Sequence, residues 1–218
     1  MAFHAQRRLW EAEQFYKRAL KADDRHFAAL YHLGLLYLQQ SRFEDAARSF
    51  RRAVNVDRNS AEAHHHLALC LMALERPEEA VQRYETALAI RPDLAETHNN
   101  LGHALEMLGR KEEAVEHYEK ALAIKPGYAE AHNNLGNALI ALARADEAIA
   151  HYRDALAIDP KYVEALVNLG NALLALGRSE EAIPCYEEAL AIRPKDARAR
   201  ENLDNALAGI VPAFDRID

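Results

Sequence analysis

The chain is poor in the residues that cross-link a fold or break it into short pieces. Its 218 residues include only two cysteines, Cys70 and Cys185, so neither a disulfide framework nor a CxxC-type metal site can be drawn. Eight glycines and seven prolines supply too few turns for a many-stranded sheet. Aromatics make up 7% of a chain that is 50% hydrophobic, which leaves alanine and leucine to carry the apolar content. No apolar run approaches the ~20 residues that span a bilayer. The first twenty residues hold Arg7, Arg8, Glu11 and Glu13 where a signal peptide would be apolar. A reducing, cytoplasmic setting without membrane contact is therefore expected. Basic charge is also in deficit: 27 Lys and Arg against 34 Asp and Glu give a net charge of −7, so no general nucleic-acid surface is expected. Residues 1–58 carry +4 and residues 59–218 carry −11, a difference assigned to solvated outer faces. Alanine, leucine, glutamate and arginine favour helix, and the expected fold class is all-α.

What is present is a period. Pro92, Pro126, Pro160 and Pro194 are 34 residues apart, and Gly34, Gly102, Gly136 and Gly170 keep the same step with Ala68 between them. A fixed period in the range of about 20–50 residues signals a repeat architecture. Five units follow, 27–60, 61–94, 95–128, 129–162 and 163–196. Residues 1–26 precede them as a half repeat consisting of a second helix only. A capping helix spans 197–208, and 209–218 is a tail or truncated linker. Numbered 1 to 34 within each unit, position 7 is always leucine, position 8 is glycine or alanine, and position 11 is leucine or tyrosine, one face of a first helix. Positions 20 and 27 are always alanine and position 24 is phenylalanine or tyrosine, one face of a second helix. The small residue at 8 is expected to face the alanines at 20 and 27, with the aromatic at 24 filling the adjoining space. Gly109 and Gly177 suit left-handed turns after the first helix, and Ser41-Arg-Phe-Glu44 reads as a capping box. Proline at position 32 ends the second helix. The unbroken register implies no internal domain boundary.

These residues resemble tetratricopeptide repeat proteins, most closely in Ala95-Glu-Thr-His-Asn-Asn-Leu-Gly-His-Ala-Leu and Ala129-Glu-Ala-His-Asn-Asn-Leu-Gly-Asn-Ala-Leu. The resemblance covers residues 9–207. Departures from the family pattern are Arg58 in place of proline, histidine at position 4, and Pro184 inside a second helix near its first turn. The resemblance implies a right-handed superhelical solenoid of antiparallel helix pairs, with first helices lining a concave groove. It implies a protein–protein interaction scaffold that binds a peptide segment.

Positions 2, 5, 6 and 9 face that groove in the family. Position 6 supplies His66, Asn100, Asn134, Asn168 and Asn202, and position 9 supplies His103, Asn137, Asn171 and Asn205. Position 5 adds Asn99 and Asn133, and position 2 adds Glu96, Glu130 and Glu164. Asparagine gains nothing there from helix propensity, whereas its amide matches the main chain of an extended peptide. The ladder is similar to that in the superhelix of O-GlcNAc transferases, which holds polypeptide substrates. Clamps for acidic chaperone tails need Lys or Arg at positions 2, 5 and 6, which this chain lacks.

No enzyme activity is read from the motifs: phosphate loop, nucleophile elbow and two-carboxylate pocket are all missing. No cofactor and no metal are expected. His64, His65 and His66 project about 100° apart on a helix and cannot converge on one ion, and the position-4 histidines His64, His98 and His132 are read as packed between helices. Cys70 and Cys185 are read as buried thiols. The half repeat leaves Trp10 and Phe15 as candidates for self-association, including a homodimer. One rival reading makes the chain the substrate-selecting region of a larger glycosyltransferase or methyltransferase, and another makes it a self-assembling module.

Overall fold

The alanine, leucine and aromatic positions fall on one face of each segment only if the segments are helices. A computed structural model describes residues 2–210, with side chains described over 8–209. It contains α1 (Ala2–Ala22), α2 (Phe27–Gln39), α3 (Phe43–Val56), α4 (Ala61–Ala73), α5 (Pro77–Ile90), α6 (Ala95–Met107), α7 (Lys111–Ile124), α8 (Ala129–Ala141), α9 (Ala145–Ile158), α10 (Val163–Ala175), α11 (Ser179–Ile192) and α12 (Ala197–Ile210). No strand occurs among the described residues. α1 runs unbroken from Ala2 through the half repeat, and α12 continues to Ile210. The rest of the tail, 211–218, lies outside the described residues.

Each first helix ends in the same turn. The residue at position 15 has positive φ in all five units: Ser41 56°, Glu75 57°, Gly109 75°, Ala143 59° and Gly177 73°. The next amide then reaches back to close the helix, as in Arg42 N to Tyr37 O and Arg144 N to Leu139 O, both 2.9 Å. This closure satisfies an orphan carbonyl and holds three non-glycine residues in a region that favours glycine. It also overturns the capping box. Ser41 sits in the turn, α3 begins after Arg42, and no side chain caps its first amides. Arginine occupies position 16 of every unit and pairs with the acid at position 19. Arg110 Nε and Nη2 donate to the two oxygens of Glu113 at 2.6 Å each, and Arg144 and Arg178 hold Glu147 and Glu181 in the same two-pronged way. True side-chain caps appear on first helices, where Ser60 Oγ accepts from the Ala63 amide at 3.2 Å.

Packing follows the small residues, with one difference from the expected partner. The alanines at positions 20 and 27 are fully buried in every unit. The nearest neighbour of the position-8 glycines Gly34, Gly136 and Gly170, however, is the aromatic ring of position 24. A β-carbon added to Gly34, Gly136 or Gly170 would lie 2.5–2.7 Å from the ring of Phe50, Tyr152 or Tyr186. A ring has the flat surface needed to lie against bare helix backbone, which a methyl group cannot cover. Pro184 lies inside α11 without ending it.

The chain divides into two compact units, one through Gly109 and one from Arg110 onward. In the first, α1 to α5 each pack on the next helix, and α2 and α4 also touch the following first helix. In the second, α7 to α12 repeat the pattern. The boundary falls inside the third repeat, 95–128. In a solenoid each element contacts only its neighbours, so a constant period carries no information about where a division falls.

Candidate functional site

The sequence-expected groove residues separate into distinct environments. On the second unit, Asn133 and Asn137 stand on α8 and Asn168 and Asn171 on α10, one repeat apart. Asn168 Nδ2 donates to both Asn133 Oδ1 and Asn137 Oδ1 at 3.0 Å. Asn202 Nδ2, on α12, donates to Asn171 Oδ1 at 2.7 Å. The same two oxygens receive a second bond from below: Tyr152 Oη donates to Asn137 at 2.8 Å and Tyr186 Oη to Asn171 at 2.9 Å. Burial, and then the neighbouring Cys185, pushes the Tyr186 hydroxyl up to about 12, so it stays protonated and keeps donating. Each of these acceptors is thus filled twice, while Asn137 and Asn171 are exposed.

Asn137, Ile140, Tyr152, Asn168, Asn171, Ala172 and Ala175 line a cleft of about 210 Å³. Its lining combines polar amides with aliphatic carbon. Asn205 is exposed, and Asn134 is half-buried. Asn168 Oδ1 also accepts from Arg198 at 3.3 Å.

Other candidates are placed differently. Asn99 and Asn133 are 1% and 4% exposed, so position 5 belongs to the packed interior and not to a ligand surface. The reason is geometric: one residue before position 6, the side chain is rotated about 100° around the helix axis, and that of Asn133 meets Asn168 of the following first helix. Glu164 is held by Arg193 at 2.7 Å, as Glu62 is by Arg91 at 2.7 Å. These carboxylates are therefore already paired within their repeats, and the Glu164 partner holds that carboxyl below its usual range. Glu96, Glu130 and His103 are exposed and Asn100 is half-buried.

In the first unit His66 joins an aromatic cluster. It stacks on Phe50 with ring centroids 5.3 Å apart and meets Tyr31 edge-on at 5.5 Å. The neighbouring histidines point elsewhere: His65 Nδ1 meets Thr97 Oγ1 at 2.9 Å and His64 Nε2 the Arg58 carbonyl at 3.2 Å. Trp10 and Phe15 are 61% and 63% exposed on α1. Cys70 is fully buried, and burial pushes its thiol up to about 12.

Two features escaped the sequence reading. The first is a link between positions 9 and 24. Leu35 goes with Phe50, which has no hydroxyl, whereas Asn137 and Asn171 go with tyrosines that need an acceptor. The exception, Leu69 with Tyr84, leaves the buried Tyr84 hydroxyl without a partner. Comparing these two columns of the repeat would have shown the coupling. The second is a cluster on α8 and α9, where His132 and His151 face each other through Nδ1 atoms 3.2 Å apart. Asp154 Oδ2 lies 3.8 Å from the first and 3.9 Å from the second. Of the position-4 histidines His64 and His98 are buried and His132 is half-buried, and each holds the carbonyl of position 32 before it: His64 that of Arg58, His98 that of Pro92 at 3.0 Å, and His132 that of Pro126 at 3.1 Å. Proline is dispensable for this contact, since Arg58 serves equally. Burial, and then His132, holds the His151 imidazole below its ordinary value.

Comparison with known proteins places this geometry. The tetratricopeptide repeat family model matches residues 59–127 and 128–195. A model described as anaphase-promoting complex, cyclosome, subunit 3 matches residues 5–87. A search of curated proteins finds no match. Among solved structures, MamA is 25% identical with a TM-score of 0.70, over 76% of this chain and 97% of that one. PilW, described as a widely conserved type IV pilus biogenesis factor, is 21% identical with a TM-score of 0.80, over 93% and 94%. YrrB, described as having an unusual peptide-binding site, is 20% identical with a TM-score of 0.70, over 85% and 96%. At 20–21% identity the last two establish the shared fold. No helix among the described residues is long and apolar enough to cross a membrane.

Proposed function

This chain belongs to the tetratricopeptide repeat family, and from that premise we propose that it is a protein-interaction scaffold whose second unit holds an extended partner segment by its main chain. One observation carries the reading. Asn137 and Asn171 have both acceptor sites of Oδ1 filled from within the protein, which fixes the rotation of each amide. Their exposed Nδ2 groups make no bond within the described protein, and they offer donors one repeat apart. A peptide carbonyl is the natural partner for such a donor. Tyr152 and Tyr186 set the orientation, so the amides need no reordering when a segment arrives. The ladder expected from the sequence is thereby narrowed from a row of independent amides to two donors supported from beneath, with Asn168 and Asn202 acting as braces. The mode reads backbone, and selectivity for particular side chains falls to the aliphatic lining of the cleft at Ile140, Ala172 and Ala175.

The test is an isosteric one. Asn137→Asp and Asn171→Asp together keep an oxygen for each tyrosine and each bracing amide, but remove the free donors. Peptides selected on the wild-type protein from a random displayed library are expected to bind this variant about tenfold or more weakly, since two lost hydrogen bonds at about 1 kcal/mol each are involved. Selected peptides that bind both proteins equally, or a library that yields no binder, would overturn the reading.

A further inference from the structure

The pair of facing imidazoles on α8 and α9 has no role in the cleft. We propose that His132 Nδ1, His151 Nδ1 and the Asp154 carboxylate form a binding site for one divalent transition metal ion of the zinc class.

Geometry is the first support. The three atoms form a triangle with sides of 3.2, 3.8 and 3.9 Å. The point equidistant from all three lies about 2.1 Å from each, within the range of about 2.0–2.2 Å for zinc bonded to imidazole nitrogen and carboxylate oxygen. Asp154 is too far from either ring for a hydrogen bond, yet nearly equidistant from both. Placement over the gap between two nitrogens is what a shared cation requires, and a histidine–histidine hydrogen bond alone does not need it.

The second support is orientation. His132 Nε2 lies 3.1 Å from the Pro126 carbonyl. That oxygen can only accept, so Nε2 carries the proton and Nδ1 presents its lone pair toward His151. A backbone carbonyl behind a ligating imidazole fixes tautomer and ring angle in established metal sites. His151 and Asp154 are three residues apart on one helix face, and the α8–α9 hairpin holds His132 against them. Repeat 61–94 is an internal contrast. There the equivalent of His132 is His64, but Arg83 and Thr86 stand in place of His151 and Asp154, and the charge of Arg83 acts directly on His64. Two nitrogens and one carboxylate suit zinc or its late first-row neighbours better than magnesium or calcium, which prefer oxygen throughout. Side-chain exposures of 12%, 29% and 58% along His132, His151 and Asp154 leave the carboxylate side open for entry and for a water as fourth ligand. On binding, the metal takes the place of the proton held between the two Nδ1 atoms: His151 Nδ1 gives up its proton to solvent while His151 Nε2 takes one up, so both ligands stay neutral imidazoles and no net proton is released.

Calorimetric titration of the untagged full chain with zinc chloride, after chelator treatment, tests the site. The expected result is one zinc per chain with little net proton release at neutral pH, measured in buffers of different ionisation enthalpy. Asp154→Asn should weaken it at least about tenfold, by comparison with the 10–100-fold cost of losing even an outer partner. His151→Asn/Asp154→Asn should abolish it, with the far-ultraviolet circular dichroism unchanged because both positions are partly exposed. Cobalt should give the visible absorption of a four-coordinate ion in the wild type only. The absence of saturable binding, or an isotherm that survives in the double variant and so belongs to other histidines, would overturn the proposal. Should the double variant fail to fold, the affinity of Asp154→Asn decides.

Discussion

Replacing Gly136 by alanine adds a single carbon, and the packing of α8 on α9 makes its cost calculable. The new β-carbon would lie 2.5 Å from Tyr152 Cε1 and 2.8 Å from Cδ1 and Cζ, well inside the ~3.5–4.0 Å optimum for carbon contacts. The ring cannot swing outward without breaking its buried seat, since Tyr152 is 2% exposed. It is also tethered by the 2.8 Å bond to Asn137. Overpacking of this kind costs about 1–3 kcal/mol, and losing the hydroxyl bond adds about 1 kcal/mol. The better helix propensity of alanine returns about 1 kcal/mol. The net expectation is a loss of about 1–3 kcal/mol. The protein already holds this combination once, as Ala68 with Tyr84, and there the tyrosine hydroxyl is left unpartnered. Urea unfolding should show the midpoint lowered by about 0.3–1.5 M if the slope is near 2–3 kcal/mol/M. Adding Tyr152→Leu to Gly136→Ala should relieve the clash, so that the two changes cost less together than separately. A midpoint for Gly136→Ala equal to or above the wild type would refute the ring-on-backbone contact.

The unpartnered hydroxyl makes its own prediction: Tyr84→Phe should be neutral or stabilising, whereas Tyr152→Phe should cost about 1 kcal/mol, both read from urea midpoints. Acid should weaken the first unit through His65, whose imidazole burial holds down to about 4. Between pH 6.5 and about 4 the unfolded chain binds a proton that the folded chain refuses, so this contribution is whole above pH 6.5 and shrinks as pH falls. From pH 7 to pH 5 the loss is about 2 kcal/mol, and the gap between melting temperatures at these pH values should narrow in His65→Gln. An unchanged gap would remove His65 as the cause.

Much of the fold was legible because the period repeats a local problem. Leucine at 7, alanine at 20 and 27, and an aromatic at 24 mark two helix faces, and the turn glycines Gly109 and Gly177 do have positive φ. Ser41 misled because serine before a helix is a common cap, while the closing bond from Arg42 to Tyr37 needs a left-handed residue there whatever its side chain. Asn99 and Asn133 misled similarly: residue type suggested a ligand surface, and rotation about the helix axis decided burial.

By itself, then, the amino-acid order determined the all-α repeat and its register, since helix periodicity depends on residues three and four apart. It also supplied the asparagines. Tertiary structure alone decided which amides keep free donors, because Tyr152 and Asn168 reach Asn137 from 15 and 31 residues away. It alone brought His132 to His151 and Asp154. Those meetings depend on how two helices close on each other across a turn, and no spacing along one helix encodes that distance.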